Sequence, residues 1–281
     1  MKLPFQINLQ DKVVVVTGAG GVICSVLAEA MAQNGAKVAL LDLNEEAAKA
    51  KAQAIADKGY TARGYRCNVL DKASCEEARA AVNAELGTCD ILINGAGGNN
   101  PRATTDNEYF SKEDLGEVKT FFDLDADGVS FVFQLNFMGT LIPTQVFAAD
   151  MVEKKGTCIL NISSMNAFTP LTKIPAYSGA KAAISNFTQW LAVHFSKAGI
   201  RCNAIAPGFF VTAQNEKLLF NEDGTPTPRT GKILAGTPMD RFGEVDELVG
   251  ASLFLVSEEA ASFITGVVLP IDGGFSAYSG V

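Results

Sequence analysis

The chain of 281 residues contains one histidine, one tryptophan and no cluster of lysine and arginine. Its 23 basic residues are outnumbered by 31 acidic residues, which gives a formal net charge of −8. Proteins that bind nucleic acids or anionic membrane surfaces concentrate positive charge on one face. The sequence therefore predicts neither kind of partner.

Long apolar runs are also missing. No segment approaches the ~20 apolar residues of a membrane-spanning helix, and the N-terminus carries no signal-peptide core. Several of the six cysteines occur in apolar contexts, and none has Cys-x-x-Cys spacing, so neither a metal site nor a redox pair is expected. We therefore expect a cytoplasmic protein with reduced cysteines and no bound metal.

What the sequence does contain is a regular alternation of strand-like and helix-like segments. This alternation is typical of an α/β fold with a single doubly wound, Rossmann-type parallel sheet and helices on both faces. No linker, repeat or low-complexity segment interrupts it, so we expect one domain over residues 1–281. The strand-like runs are residues 13–17, 37–42, 89–94, 157–163, 200–206 and 267–271.

A glycine-rich turn follows the first of these runs. Residues 13–16 are all valine, and Thr17 and Gly18 lead through Gly20 and Gly21 into an alanine-rich stretch that ends near Ala32. Glycines at a strand-to-helix turn let backbone N–H groups and the helix N-terminus approach a pyrophosphate. The segment therefore predicts a dinucleotide-binding turn.

Asp42 ends the second strand-like run, where dinucleotide sites place a carboxylate for the ribose hydroxyls. The same charge repels a 2′-phosphate, and Leu43 follows it instead of an arginine. NAD is therefore favoured over NADP. The alternative is that Asp42 only begins a turn.

Lys181 follows Tyr177 by four positions in a segment that resembles a helix. Residues at this spacing share a helix face, and an ammonium beside a phenol favours the phenolate, which can exchange a proton with an alcohol. Upstream, Ser164 follows an apolar strand and can hydrogen-bond the same substrate oxygen. Taken alone, the Tyr177 and Lys181 pair is equally consistent with a half-exposed helix face.

These motifs occur in an order that resembles the short-chain dehydrogenase/reductase family over residues 11–276. The further motifs that carry the resemblance are Asn94-Gly95-Ala96-Gly97, Asn136, Pro207-Gly208 and Asp272-Gly273-Gly274. The resemblance implies a catalytic set of Asn136, Ser164, Tyr177 and Lys181. In that set Tyr177 transfers the proton, Ser164 orients the substrate oxygen, Lys181 lowers the tyrosine pKa and holds the nicotinamide ribose, and Asn136 anchors a water. For Asn136, a purely structural role in bracing the backbone is the alternative.

The resemblance also implies the residues that contact the cofactor. The glycine turn departs from the family pattern, because Val22 and Cys24 stand where two family glycines would fall, and Asn68 replaces an aspartate. The predicted cofactor contacts are Gly18, Gly21, Val22, Ile23, Asp42, Asn68, Val69, Asn94, Ala96, Gly97, Tyr177, Lys181, Pro207, Gly208, Phe210 and Thr212.

Two segments, residues 98–125 and 209–240, are expected to shape the substrate site. The first is longer than the family usually allows, and long loops in compact domains are usually functional; the second has the composition of a mobile flap. Arg102 and Lys173 are candidates for binding a carboxylate, while Asn99 and Asn166 are candidates for binding hydroxyls. An ordinary surface position is the alternative for Arg102.

Residues 97–105, 163–168 and 207–210 resemble the family subgroup described as D-mannonate oxidoreductases or fructuronate reductases. This implies hydride transfer between NAD and a sugar-acid alcohol or ketone. Phenylalanines at positions 121, 122, 209 and 210 leave a reductase for another sugar, a polyol or a hydrophobic ketone open, and a non-catalytic NAD-binding regulator is a third reading. The family usually forms homotetramers, although a dimer fits the sequence equally well; His194 is expected to be structural or to lie in an interface.

Overall fold

The computed structural model describes residues 7–212 and 216–280, except for the side chains of Lys217 and Leu218. Seven parallel strands form one sheet in the order β3-β2-β1-β4-β5-β6-β7. The strands are β1 (Val13–Thr17), β2 (Lys37–Asp42), β3 (Ala62–Arg66), β4 (Ile91–Asn94), β5 (Thr157–Ile162), β6 (Ile200–Pro207) and β7 (Val268–Ile271).

The main helices connect these strands and cover both faces of the sheet. Their bounds are α1 (Val22–Gln33), α2 (Glu45–Ala56), α3 (Lys72–Glu85), α4 (Ala126–Phe133), α5 (Gly139–Phe147), α6 (Pro175–His194), α7 (Glu216–Leu219), α8 (Pro228–Ala235), α9 (Glu247–Val256) and α10 (Glu258–Ala261). The predicted doubly wound α/β fold is confirmed. None of the helices in the described ranges is long and apolar enough to cross a membrane.

Strand β1 shows how the sequence builds the two layers. Its residues are all buried, and successive side chains of a strand point to opposite faces. Val14 and Val16 belong to the core beneath α1 and α9, whereas Val13 and Val15 belong to the core beneath α3, α5 and α6. An unbroken β-branched run is what a strand buried on both faces requires.

The sequence patterns miss the edge strand β3. It contains Arg63, Gly64, Tyr65 and Arg66, and only Ala62 is fully buried. A half-exposed edge strand lacks the continuous apolar run by which the central strands are recognised. Its identity depends on pairing with β2, in which Asp42 lies opposite Arg66.

The topology positions the site. Strand order reverses between β1 and β4, which are hydrogen-bonded neighbours although β2 and β3 separate them in sequence. In open parallel sheets a ligand binds at such a point, outside the carboxyl ends of the strands. Here the carboxyl ends of β1, β2 and β4 end in Thr17, Asp42 and Asn94.

All six cysteines are buried and free, as expected of packing residues. Two of them lie close together, because the sulfur atoms of Cys67 and Cys75 are 3.6 Å apart. Their spacing of eight residues carries no sequence signal for this proximity, which the loop between β3 and α3 creates.

Candidate active site

A cleft of about 830 Å³ lies at the carboxyl ends of β1, β2 and β4. Most of the predicted cofactor contacts line it. These are Gly18, Gly21, Val22, Ile23, Asp42, Asn68, Val69, Ala96, Gly97, Gly208, Phe210 and Thr212.

The glycine turn forms one wall of this cleft. Gly18 has a φ of +67°, and a Cβ there would lie 2.9 Å from the backbone of Ala96. Gly21 is the N-cap of α1 and offers no side-chain cap, and the first turn of the helix contains no acidic residue. The N–H groups at the start of α1 are therefore available to an anion, which fits the pyrophosphate of a dinucleotide.

The unusual residues of the turn are accommodated by packing. Helix α1 begins at Val22, so Val22 and Cys24 belong to its first turn. Cys24 is buried against Gly95, where any larger residue would collide with its sulfur. Thr17 links the end of β1 to the segment after β4, because its hydroxyl accepts hydrogen bonds from the N–H groups of Gly95 (3.1 Å) and Ala96 (3.3 Å).

Asp42 lies in the cleft at the end of β2. Its carboxylate accepts hydrogen bonds from the N–H of Gly20 at 3.0 Å and from the N–H of Asn44 at 2.9 Å. These bonds fix the carboxylate beside the glycine turn, where the ribose of a dinucleotide is expected. Asp42 therefore both shapes the turn and faces the cleft.

Four predicted cofactor residues do not line the cleft. The side chain of Asn94 is buried, and its amide donates to the hydroxyl of Thr144 and to Oδ1 of Asn161, both at 2.9 Å. Pro207 is buried at the end of β6. Tyr177 and Lys181 lie beside the cleft on α6, where a Cβ at Gly97 would be 3.3 Å from Nζ of Lys181.

Sequence reasoning missed other residues of this cleft. Gly20 and Gly95 lie inside the glycine motifs but were not predicted as contacts, and most of the others are apolar or small side chains that no motif marks. They are Gly20, Cys24, Leu43, Asn44, Ala47, Cys67, Leu70, Gly95, Phe131, Leu135 and Phe209.

Asn136 occupies a π-helical turn, Gln134–Met138, which separates α4 from α5. Its side chain is fully buried. Nδ2 donates to the carbonyls of Gly98 (2.7 Å) and Val132 (2.8 Å), while Oδ1 accepts from the N–H of Gly98 at 3.2 Å. Asn136 thus braces the segment after β4 against the helix, which is the structural role that the sequence left open.

Lys181 is buried within α6, and its Nζ donates to the carbonyl of Ile162 at 2.8 Å. Burial lowers the pKa of this ammonium to about 8, an effect that the nearby Cys24 partly opposes. Nζ lies 5.5 Å from the centre of the Tyr177 ring. Lysine and tyrosine therefore share one face of α6, as their spacing predicts.

Tyr177 and Ser164 meet at the end of β5. Burial raises the pKa of the Tyr177 phenol, and a hydrogen bond with Ser164 acts in the opposite direction. Lys181 does not lower the Tyr177 pKa in this structure. The tyrosine pKa is raised, whereas the sequence analysis expects it to be lowered. The hydroxyl of Ser164 also accepts the N–H of Asn166 at 3.2 Å.

A second cavity, of about 380 Å³, adjoins the cleft and shares Phe209 with it. Lys173, predicted for the substrate, lines it together with residues of the two segments, 98–125 and 209–240, that were expected to shape the substrate site. The lining is Glu108, Leu171, Thr172, Lys173, Phe209, Pro228, Arg229, Lys232, Ile233 and Phe275. Residues 213–215 of the predicted flap lie outside the described ranges.

The other predicted substrate residues are placed differently. Arg102 lines neither cavity, and its guanidinium lies 2.8 Å from both carboxylate oxygens of Asp125. Asn99 is exposed and donates to Thr104 at 3.0 Å. Asn166 is buried, and within the described part of the chain its Oδ1 has no hydrogen-bond partner.

His194 is the last residue of α6 and takes no part in either cavity. Its ring stacks on Trp190 with centroids 4.5 Å apart, and Trp190 stacks in turn on Phe187 at 6.1 Å. Trp190 remains 54% exposed. The histidine thus belongs to an aromatic row on the outer face of α6.

Comparisons with known proteins agree with this geometry. The family described as enoyl-(acyl carrier protein) reductase matches residues 18–276. An uncharacterized oxidoreductase of Haemophilus influenzae is 64% identical over 98% of this chain and 96% of its own length. The uncharacterized oxidoreductase UxuB of Bacillus subtilis is 48% identical over 99% of this chain and 100% of its own length.

A solved structure is similarly close. A crystal structure from Haemophilus influenzae, provisionally named a D-mannonate oxidoreductase and containing bound NAD, superposes with a TM-score of 0.95 at 62% identity and covers 100% of both chains. The NAD prediction is confirmed, since the glycine turn and Asp42 also fit that cofactor. The chain belongs to the short-chain dehydrogenase/reductase family and is an NAD-dependent oxidoreductase that acts on CH–OH groups.

Proposed function

We propose that the protein interconverts a sugar-acid alcohol and its ketone, with D-mannonate and D-fructuronate as the preferred pair. The observation that carries this proposal is the charge of the second cavity. Three cationic residues, Lys173, Arg229 and Lys232, line it with one acid, Glu108. An excess of positive charge beside a dehydrogenase site suits a carboxylate, and it contrasts with the chain's net charge of −8.

We assign the proton transfer to Tyr177. In the oxidative direction the substrate hydroxyl gives its proton to the Tyr177 phenolate while the carbinol carbon gives up a hydride, so that C–O becomes C=O. NAD supplies the hydride acceptor when it is bound. Because burial raises the pKa of Tyr177, the phenolate form is favoured by alkaline solution.

Ser164, Lys181 and Asn136 complete the proposed catalytic set. The hydroxyl of Ser164 is hydrogen-bonded to that of Tyr177, which supports its role in holding the substrate oxygen. Lys181 supplies a donor beside the wall of the cleft, next to Gly97, as expected for the nicotinamide ribose. Asn136 holds this wall through Gly98; the relay water expected at Asn136 stays a prediction.

Asn166 supports a polyhydroxylated substrate. A buried amide oxygen without a partner costs free energy unless something bonds to it. Its Oδ1 is such an atom within the described residues, and its backbone N–H is bonded to Ser164. Asn166 lines neither cavity, so a substrate hydroxyl near Ser164 could satisfy this acceptor only after local movement.

A reductase for another sugar, a polyol or a hydrophobic ketone is the second candidate. The same cavity has apolar side chains, and Phe209 packs edge-to-face on Phe275 with centroids 5.2 Å apart. A non-catalytic NAD-binding regulator is the third reading, and the joint presence of Tyr177, Ser164 and Lys181 argues against it. Homo-oligomerisation, as a tetramer or a dimer, and a cytoplasmic location stay predictions, the former supported by the exposed aromatic row of α6.

NADH formation at alkaline pH tests the reaction. D-mannonate, D-gluconate, L-idonate and D-altronate are compared with their neutral polyols, and fructuronate reduction is assayed as the reverse reaction. Turnover of one acid without turnover of its polyol is the expected result. Turnover confined to neutral or apolar alcohols would reject the sugar-acid proposal and retain the hydride-transfer chemistry.

A further inference from the structure

We infer that Lys173 and Arg229 form the subsite that binds the substrate carboxylate, with Lys232 and Glu108 as the ion pair that holds the two sides of this subsite together. The inference rests on the proposed sugar-acid function and gives it a location. It also transfers the role that the sequence assigns to Arg102 onto a different part of the chain.

Three separate segments meet at this subsite. Glu108 comes from the long insertion after β4, Lys173 from the segment that enters α6, and Arg229 with Lys232 from α8. Lys173 stands four residues before Tyr177 in sequence. The charged cavity is therefore continuous with the segment that carries the proposed proton-transfer residue.

The four charges are not equivalent. Nζ of Lys232 lies 2.9 Å from both carboxylate oxygens of Glu108, so this ammonium already has its counter-charge. Among the described residues, neither Lys173 nor Arg229 has an acidic partner within 4.0 Å. Both cations act on the Glu108 carboxylate only through space, so the cavity has three positive charges against one negative charge and attracts an anionic ligand.

The backbone conformation of Lys173 is held in place by the surrounding structure. Its φ is +71°, a conformation that non-glycine residues seldom adopt and that surrounding structure must enforce. Its carbonyl accepts the N–H of Thr105 at 2.9 Å, which ties this residue to the insertion. The conformation is thus held by a contact from the same insertion that supplies Glu108.

Arg229 lies in the first turn of α8, a helix that is fixed by its N-cap and by buried side chains. Thr227 is the N-cap and Pro228 occupies the first turn, and the buried Thr230 and Ile233 anchor the helix to the protein. The N–H of Thr227 also bonds to the carbonyl of Leu219 at 2.9 Å. Arg229 itself is exposed, so its fork of N–H donors is free to form a bidentate pair with a carboxylate.

Arg102 differs from Lys173 and Arg229 because it already has an acidic partner. Nη2 of Arg102 donates to both carboxylate oxygens of Asp125 at 2.8 Å, and Asp127 lies 3.9 Å away. A substrate carboxylate there would have to compete with these two aspartates. Arg102 also lines neither cavity.

The test compares Arg229→Gln, Lys173→Gln and the double variant with Arg102→Gln as the matched control. KM is measured for D-mannonate, or the hexonate that is oxidised best, and for its neutral polyol. Each subsite variant is expected to raise KM for the acid by about 10- to 100-fold, the range of a lost charge-assisted hydrogen bond. KM for the polyol and all constants of Arg102→Gln should change less than threefold.

Calorimetric titration of D-mannonate and D-gluconate into the NADH-saturated protein separates this inference from the proposed reaction. If wild type binds but does not oxidise either acid, and Arg229→Gln weakens that binding, the reaction is rejected and the subsite is supported. Equal losses for acid and polyol, unchanged binding in both subsite variants, or no binding to wild type would each overturn the subsite. A large effect confined to Arg102→Gln would return the role to Arg102.

Discussion

Asn136 and Gly98 exchange two hydrogen bonds: Nδ2 of Asn136 donates to the Gly98 carbonyl at 2.7 Å, and Oδ1 accepts the Gly98 N–H at 3.2 Å. This reciprocal pair fixes the segment after β4 on the π-helical turn. The wall of the cofactor cleft beside Lys181 therefore depends on one buried amide.

Replacing this amide should lower stability as well as activity. Asn136→Ala leaves both polar groups of Gly98 without their partner, and we expect the free energy of unfolding to fall by about 1–3 kcal/mol. Urea denaturation measures this loss. Asn107→Ala, which removes an exposed amide bonded to Asp114, is the control and should cost much less. Wild-type stability in Asn136→Ala would contradict the bracing role.

Tyr177→Phe should abolish turnover while leaving NAD binding intact. Removing the hydroxyl eliminates the proposed proton acceptor without changing the ring, so kcat is expected to fall by about 10²- to 10⁴-fold. Stopped-flow turnover and calorimetric NAD binding provide the two readouts. Tyr109→Phe, at an 82% exposed tyrosine, should behave as wild type. Turnover within threefold of wild type would remove Tyr177 from the proton-transfer role.

The lowered pKa of Lys181 should make the free energy of unfolding increase as the pH rises. Its pKa is about 8 in the folded protein against an ordinary value of 10.5, so the unfolded chain binds more protons between these pH values. Stability must then increase as pH rises through this window. The contribution is on the order of 3 kcal/mol, from ~1.36 kcal/mol per pKa unit.

The measurement is the difference in unfolding free energy between wild type and Lys181→Met at pH 7 and pH 10.5. The variant should lack the rise that wild type gains from this group, because methionine does not titrate. Lys197→Met, at an exposed lysine just beyond α6, should keep the wild-type pH dependence. A rise that persists unchanged in Lys181→Met would show that other groups cause it.

Asp42→Ala should shift the cofactor preference toward NADP. Repulsion between a carboxylate and a 2′-phosphate is worth roughly 1–4 kcal/mol at close range, so the NADP/NAD ratio of kcat/KM should rise at least about fivefold. Arg66, opposite Asp42 in the sheet register, would then be the neighbouring cation. Adding Arg66→Gln should reverse part of the gain, whereas an unchanged ratio in Asp42→Ala would refute the discrimination by charge.

Much of the fold follows from local sequence. The β-branched run of β1, the glycine turn and the spacing of Tyr177 and Lys181 are recognisable because each depends on neighbours within a few residues. Helix periodicity and strand alternation are properties of this kind. The preference for NAD is local in the same sense, since Asp42 is the last residue of its strand.

Features that depend on contacts between distant segments follow only from the tertiary structure. Strand β3 is defined by its hydrogen bonds to β2, and Asn94 faces the interior because Thr144 and Asn161 lie beside it. The same holds for the charged cavity. Arg102 is the more conspicuous arginine in sequence, yet Asp125 neutralises it, whereas Arg229 reaches the cavity only because α8 folds back toward Glu108. Sequence determines which charges exist, and long-range packing determines which of them keep a counter-ion and which remain for a ligand.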